Sequence, residues 1–223
     1  MGTLTGTNLL DIARGLNNDP SGLRWLDADM LPIVNEAQRA VVTKVPRSNM
    51  ATAISALMAA GTRQTVSGLA LTRGIRVMEL VRNFDAAGTT AGPAIRRLLG
   101  GRKWLDENRP DWHTDAASTV IEHYATDEED PTVVWVWPPS DGTTKVQAIF
   151  SQMPLALVSL GTVISIGDEW ANAMGYYLLF RMYHKNEPGS LSDARSQTYY
   201  NLFLQELGLD TQADAKVDRS KDE

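Results

Sequence analysis

A chain of 223 residues, 43% of them hydrophobic, carries enough apolar material for a core, and the absence of cysteine excludes disulfides, thiolate metal sites and cysteine nucleophiles. The net charge of −6 argues against broad non-specific nucleic-acid binding as the main activity, because phosphate contacts demand a basic footprint. Met1 to Thr7 has neither a basic nor an apolar signal region, and no apolar run approaches the roughly 20 residues of a bilayer span, so an aqueous setting without a membrane partner is expected.

In chain order, Thr7 to Leu16 reads as a short helix with Leu9, Leu10, Ala13 and Leu16 on one side and Thr7 as its N-cap. The turn cluster Asn17 to Gly22 ends it. A second helix begins near Asp27 or Asp29, with Pro32 expected in the first turn, where amides have no intrahelical partner. Leu31, Val34, Gln38, Val41 and Val45 keep helical spacing until Pro46.

The period then changes. Residues 54–66, 75–84, 119–126, 132–137 and 145–151 read as strands, most clearly where Val133, Trp135 and Trp137 alternate with Val134 and Val136. Asp-Glu-Glu-Asp-Pro at 127–131 and Pro-Pro-Ser-Asp-Gly at 138–142 are turn chemistry, and Asp-Gly is a strong hairpin signal. An antiparallel meander follows. Residues 88–117 are rich in Gly, Pro and Trp, with a short helix expected at Pro93 to Leu99.

Helical spacing returns at Asp168 to Lys185, where Trp170, Met174, Tyr177, Leu178 and Met182 share a face, and at Ser192 to Leu207, with Gly208 as the C′ residue. The expected fold class is α+β: N-terminal helices (7–45), a central antiparallel β region (54–151) and a C-terminal helical hairpin (168–207), forming one domain over 1–210. Residues 211–223 hold one β-branched aliphatic, Val217, and no aromatic, which predicts a flexible docking tail.

Charge is distributed in blocks. Residues 63–109 carry nine basic and four acidic side chains, whereas 110–141 carry eight acids and no Lys or Arg. Two readings stand: the blocks neutralise each other within one subunit, or they form complementary faces of a head-to-tail oligomer. Arg63, Arg96, Arg97, Arg102 and Lys103 are the candidate channel-facing or intersubunit bases, and Asp127, Glu128, Glu129 and Asp130 the candidate intersubunit acids.

Catalytic patterns are missing. Gly100-Gly101-Arg102-Lys103 lacks the spacing and hydroxyl of a phosphate loop, and neither His-Glu-x-x-His nor Gly-x-Ser-x-Gly occurs. The acids 127–130 offer oxygens to a hard cation, but their place between two strands, ending in proline, fits a solvated hairpin turn better. Asp111 and His113 lack an identifiable nucleophile beside them. No catalytic residue, cofactor or metal is expected.

Several motifs, in order, resemble the head-to-tail adaptor (connector) proteins of tailed bacteriophages. They are Asn35-Glu-Ala-Gln-Arg39, Ala60-Gly-Thr-Arg-Gln64, Val81-Arg-Asn83, Pro110-Asp-Trp-His113, Thr126-Asp127 through Asp130-Pro131, Trp135-Val-Trp-Pro-Pro139, and Tyr176-Tyr177 with Phe180 to Lys185. The resemblance covers roughly residues 25–208 and leaves the tail unmatched. It implies a structural virion protein of the neck, assembled in the host cytoplasm, that extends the DNA channel in a homo-oligomeric ring of about twelve copies. The implied partners are the portal protein, tail or nozzle proteins, and packaged DNA through non-specific contact. Composition and analogy with similar rings assign portal docking to the tail, at Thr211, Lys216, Val217, Arg219 and Lys221. Two alternatives remain open here: a tail-tube or tail-completion subunit, and a small metal-dependent hydrolase using His113, His123 and the acids 127–130.

Overall fold

The structure is a computed structural model and describes residues 2–127, 129–184 and 190–209. In chain order its elements are α1 (Gly6–Leu16), α2 (Asp27–Lys44), β1 (Met50–Leu57), β2 (Ala60–Thr65), β3 (Gly74–Phe84), β4 (Ala91–Ala94), β5 (Arg96–Arg97), α3 (Gly101–Asn108), β6 (His123–Thr126), β7 (Val133–Asp141), β8 (Lys145–Gln152), α4 (Ala171–His184) and α5 (Ser190–Glu206). The expected order of helices, antiparallel strands and helices is therefore present. The chain divides into two compact units: Met1–Asn49 with Pro154–Glu223, and Met50–Met153.

The first unit is helical. α4 lies against α1, α2 and α5, because Ala173, Met174, Tyr177, Leu178, Leu179 and Met182 are buried around it. Thr5, rather than Thr7, caps α1. Its hydroxyl accepts from the Asn8 amide (3.2 Å) while the Asn8 side chain accepts from the Thr5 amide (3.1 Å), a reciprocal capping box that Thr7 cannot form. The helix α2 starts at Asp27, so Pro32 sits in its second turn instead of its first. Arg14 of α1 donates to the Trp25 carbonyl and pairs with Asp27 at 2.8 Å.

The segment after β8 is laid along α2 by two neutral side chains. Asn35 donates to the Leu157 carbonyl (3.1 Å) and accepts from the Leu157 amide (2.7 Å). Fully buried Gln38 accepts from the Ser165 amide (3.0 Å).

The second unit holds two four-stranded sheets, ordered β1-β8-β3-β4 and β2-β7-β6-β5. Most pairs are antiparallel, but β5 runs parallel to β6. This corrects the expected meander, since β7 and β8, consecutive and joined through Asp-Gly, lie in different sheets. Val134 and Val136 of β7 and Val146, Ala148 and Phe150 of β8 enter one core cluster, which two sheets supplying inward faces can bury and one flat hairpin cannot. Asp141 holds the crossing by accepting from the amides of Thr143 (2.8 Å) and Thr144 (3.1 Å).

Three further expectations shift for local reasons. The run 54–66 breaks into β1 and β2 because the Gln64 side chain binds both the amide (2.9 Å) and carbonyl (2.8 Å) of Ala59, ending the ladder there. Pro93 to Leu99 is not helical but supplies β4 and β5; the Asn83 side chain holds the Pro93 carbonyl (3.1 Å) and both backbone groups of Ile121 (2.8 Å each), drawing these segments together. A helix, α3, instead opens at Gly101, which takes the left-handed φ of +61°. Of 119–126, only His123–Thr126 is strand.

Candidate functional site

The alternation on β7 sends Val134 and Val136 into the core and leaves Trp135 and Trp137 half-buried on the other face. Each indole N–H donates to a carboxylate: Trp135 to Asp127 (2.9 Å) and Trp137 to Asp115 (2.7 Å). Beside them, fully buried Trp112 donates to Asp106 (2.9 Å) and stacks on His113 with ring centroids 3.7 Å apart. The His113 ring meets Trp135 edge-on at 5.7 Å, and its Nδ1 shares a 2.8 Å hydrogen bond with the Thr62 hydroxyl.

Two guanidinium groups cover the rings. Arg102 lies 5.3 Å from the Trp135 centroid and reaches Asp106 (3.4 Å) and Asp127 (3.7 Å). Arg109 lies 4.6 Å from the Trp137 centroid and 3.9 Å from Asp115. Each tryptophan of β7 is thus bracketed by a cation on its face and an anion on its edge, the arrangement that an aromatic quadrupole favours.

The electrostatics follow. The Asp127 carboxyl titrates below the usual carboxylate range, chiefly because the Trp135 indole donates to it, then through the amides of Asp130 and Glu129. The Asp130 carboxyl is held low mainly by the Thr132 hydroxyl and amide, with Arg63 adding attraction. The described acids Asp127, Glu129 and Asp130 lie outside the strands, where turn chemistry is expected. The acidic run joins the antiparallel pair β6 and β7, and the two described carboxylates that frame it are engaged by local donors.

The candidate residues separate into three groups. Arg102 and Asp127 come together in one subunit, and Lys103 pairs only with Glu107 on its own helix, at 3.9 Å with both side chains largely exposed. Arg97 donates to the Thr126 hydroxyl at 3.3 Å. Arg63, Arg96 and Glu129 are exposed and form no ion pair among the described residues. Glu128 and the tail residues Thr211, Lys216, Val217, Arg219 and Lys221 lie outside the described residues. Asp106, Arg109 and Asp115 complete the face and were not among the sequence candidates. Their signal was the junction of the basic and acidic blocks on either side of Pro110-Asp-Trp-His113.

The hydrolase alternative would need His113, His123 and the acids to converge. Among the described residues no group of three or more His, Asp or Glu could hold a metal ion, and His113 is held by Thr62 and Trp112.

The remaining motifs meet in the helical unit. Glu36 of Asn35-Glu-Ala-Gln-Arg39 accepts from the Tyr177 hydroxyl (2.8 Å) and pairs with Arg181 (3.2 Å), which joins it to the Tyr176-Tyr177 and Phe180 to Lys185 motifs. Burial first, and then the hydrogen bond to Glu36, push the Tyr177 phenol up to about 12. Asn35, Gln38, Gln64, Asn83, Trp112 and Trp135 are all motif residues, and each anchors a backbone or side-chain group described above.

A family model described as SU10 adaptor protein matches residues 7–221. No curated protein gives a match. The family match corrects the extent of the sequence resemblance at both ends, because it takes in α1 and nearly all of the carboxy-terminal segment. The chain belongs to the SU10 adaptor protein family, a family of phage head-to-tail adaptors.

Proposed function

We propose that this phage structural adaptor acts as one subunit of a ring of about twelve copies, seated in the virion neck between portal and tail and extending the DNA channel. The family match across residues 7–221 carries this reading. The Arg–Trp–carboxylate face supports it in a second way: Arg102, Arg109, Asp115 and Asp127 neutralise one another inside the subunit, so the body can present Arg63 and Arg96 to packaged DNA or to the acids of a neighbouring copy. Residues 211–223, including Thr211, Lys216, Val217, Arg219 and Lys221, are the segment that docks onto the portal.

Electron microscopy of the virion neck, with native mass spectrometry of the chain and its portal, tests the assignment. A closed ring in contact with the portal is the expected result. Absence of the chain from virions, or contact with tail proteins alone, would overturn it. Removal of residues 211–223 is expected to leave thermal unfolding of the body unchanged while lowering the yield of DNA-filled, tailed particles.

A further inference from the structure

The first sheet of the second unit ends on two open strands. β1 and β4 are its edges, and among the described residues the outer side of each bonds to no backbone group. β1, Met-Ala-Thr-Ala-Ile-Ser-Ala-Leu over 50–57, holds neither a charged residue nor a proline, the residues with which natural edges discourage pairing. It exposes Met50 (53%), Ile54 (62%) and Leu57 (49%) instead. An open backbone edge flanked by bare aliphatic side chains is a surface for another strand.

β4 does contain a proline, yet its outer side keeps its donors. The Ile95 amide bonds to the Val81 carbonyl, and the Thr90 carbonyl accepts from the Asp85 amide, so these groups point toward β3. Ala94 and Ala91, opposite Arg82 and Phe84, hold the alternate positions and aim their N–H and C=O groups away from β3. Pro93 lies between them with its carbonyl held by Asn83, so the missing amide falls on the inner side.

The two edges also match in direction and register. Every pair in this sheet is antiparallel, so β4 runs opposite to β1. A neighbouring copy in the same orientation, as in a ring, therefore brings its β1 antiparallel to β4. The second sheet lacks this property, because its parallel β5–β6 pair leaves β5 and β2 running the same way. β1 shifts register between Ala53 and Ala56, and β4 between Ala91 and Ala94, so each carries one extra residue. Setting Leu57 against Ala91 then sets Ile54 against Ala94, two large exposed side chains beside two small ones.

We propose that β1 of one copy adds to β4 of the next in this register, joining the first sheets of adjacent copies into one. The inference rests on the ring reading and names the contact that closes the ring.

The absence of native cysteine makes the test direct in assembled particles. Directly opposed residues of neighbouring strands lie at a Cα separation that a disulfide spans. Mild oxidation of particles carrying Ile54→Cys with Ala94→Cys should therefore give a ladder of interchain multimers on non-reducing gels. The ladder should form about tenfold faster than from an Ile54→Cys and Lys103→Cys control pair. Ile54→Lys, which charges the edge, should lower the yield of tailed particles about tenfold, and Ala94→Glu should restore it. Thermal unfolding of the isolated Ile54→Lys chain should stay unchanged. A ring visible by microscopy with a ladder no faster than the control would overturn the edge pairing and leave the ring standing. So would disulfides from Ile54→Cys alone, which mean β1 against β1, or disulfides to a different protein. A neck without a ring of this chain would overturn both readings.

Discussion

The two units solve the same problem, fixing irregular backbone, with different chemistry. In the helical unit the segment after β8 is fastened by Asn35 and Gln38, neutral amides with Gln38 fully buried. The sheet unit uses buried amides too, at Gln64 and Asn83, but pairs Arg102 and Arg109 with carboxylates on the half-exposed Trp135 and Trp137 face. Desolvation explains the division. A neutral amide can be buried once its hydrogen bonds are satisfied, whereas a buried ion pair must recover a desolvation cost of several kcal/mol per ion. The fully buried clamps are therefore amides, whereas the charged clamps keep some contact with water: Arg14 and Asp19, the most buried charged side chains among the described residues, are each 9% exposed, and the Asp27 partner of Arg14 is largely exposed.

The sharpest way to break this comparison is Gln38→Leu. It keeps the volume but strands the Ser165 amide, and should cost about 2 kcal/mol in urea unfolding. A loss below about 0.5 kcal/mol would show that water satisfies the amide and that the clamp is not structural.

A smaller effect is expected from Trp135→Phe, which removes the largest cause of the lowered Asp127 pKa. A carboxyl whose pKa is depressed by folding adds stability above its unfolded pKa, near 4, and loses it as pH falls through the folded value. The substitution should raise the Asp127 pKa in NMR titration and make acid unfolding less steep below about pH 4. An unmoved Asp127 would mean that Arg102 and the turn amides suffice.

The smallest effect belongs to Glu107→Ala. Its partner Lys103 is 86% exposed and Glu107 62%, so calorimetry should find a change within about 0.5 kcal/mol. A larger loss would mean that exposed ion pairs do stabilise this unit, against the division drawn above.

Much of the helical unit was legible from local periodicity. The α1 stripe, the α2 spacing and the Tyr177 and Phe203 faces are properties of neighbouring turns, which sequence records directly. The candidate face was legible only in part. The alternation at 133–137 revealed that Trp135 and Trp137 share a side, and the turn chemistry at 127–131 marked the break between β6 and β7. The carboxylates that their N–H groups would reach were not legible, because Asp115 lies 22 positions from Trp137 and no local rule selects it.

The sequence alone determined the α+β order, the break between β6 and β7, the neighbouring basic and acidic blocks, and the resemblance to phage adaptors. Tertiary structure decided the partition into two sheets, the strand character of Pro93 to Leu99, and the pairing of Arg102 and Arg109 with tryptophan and carboxylate. Period and turn propensity act over a few residues, but which strand pairs with which is chosen by the shared burial of distant faces. Val136 and Val146 could enter one core only if the chain left one sheet for the other at Asp141.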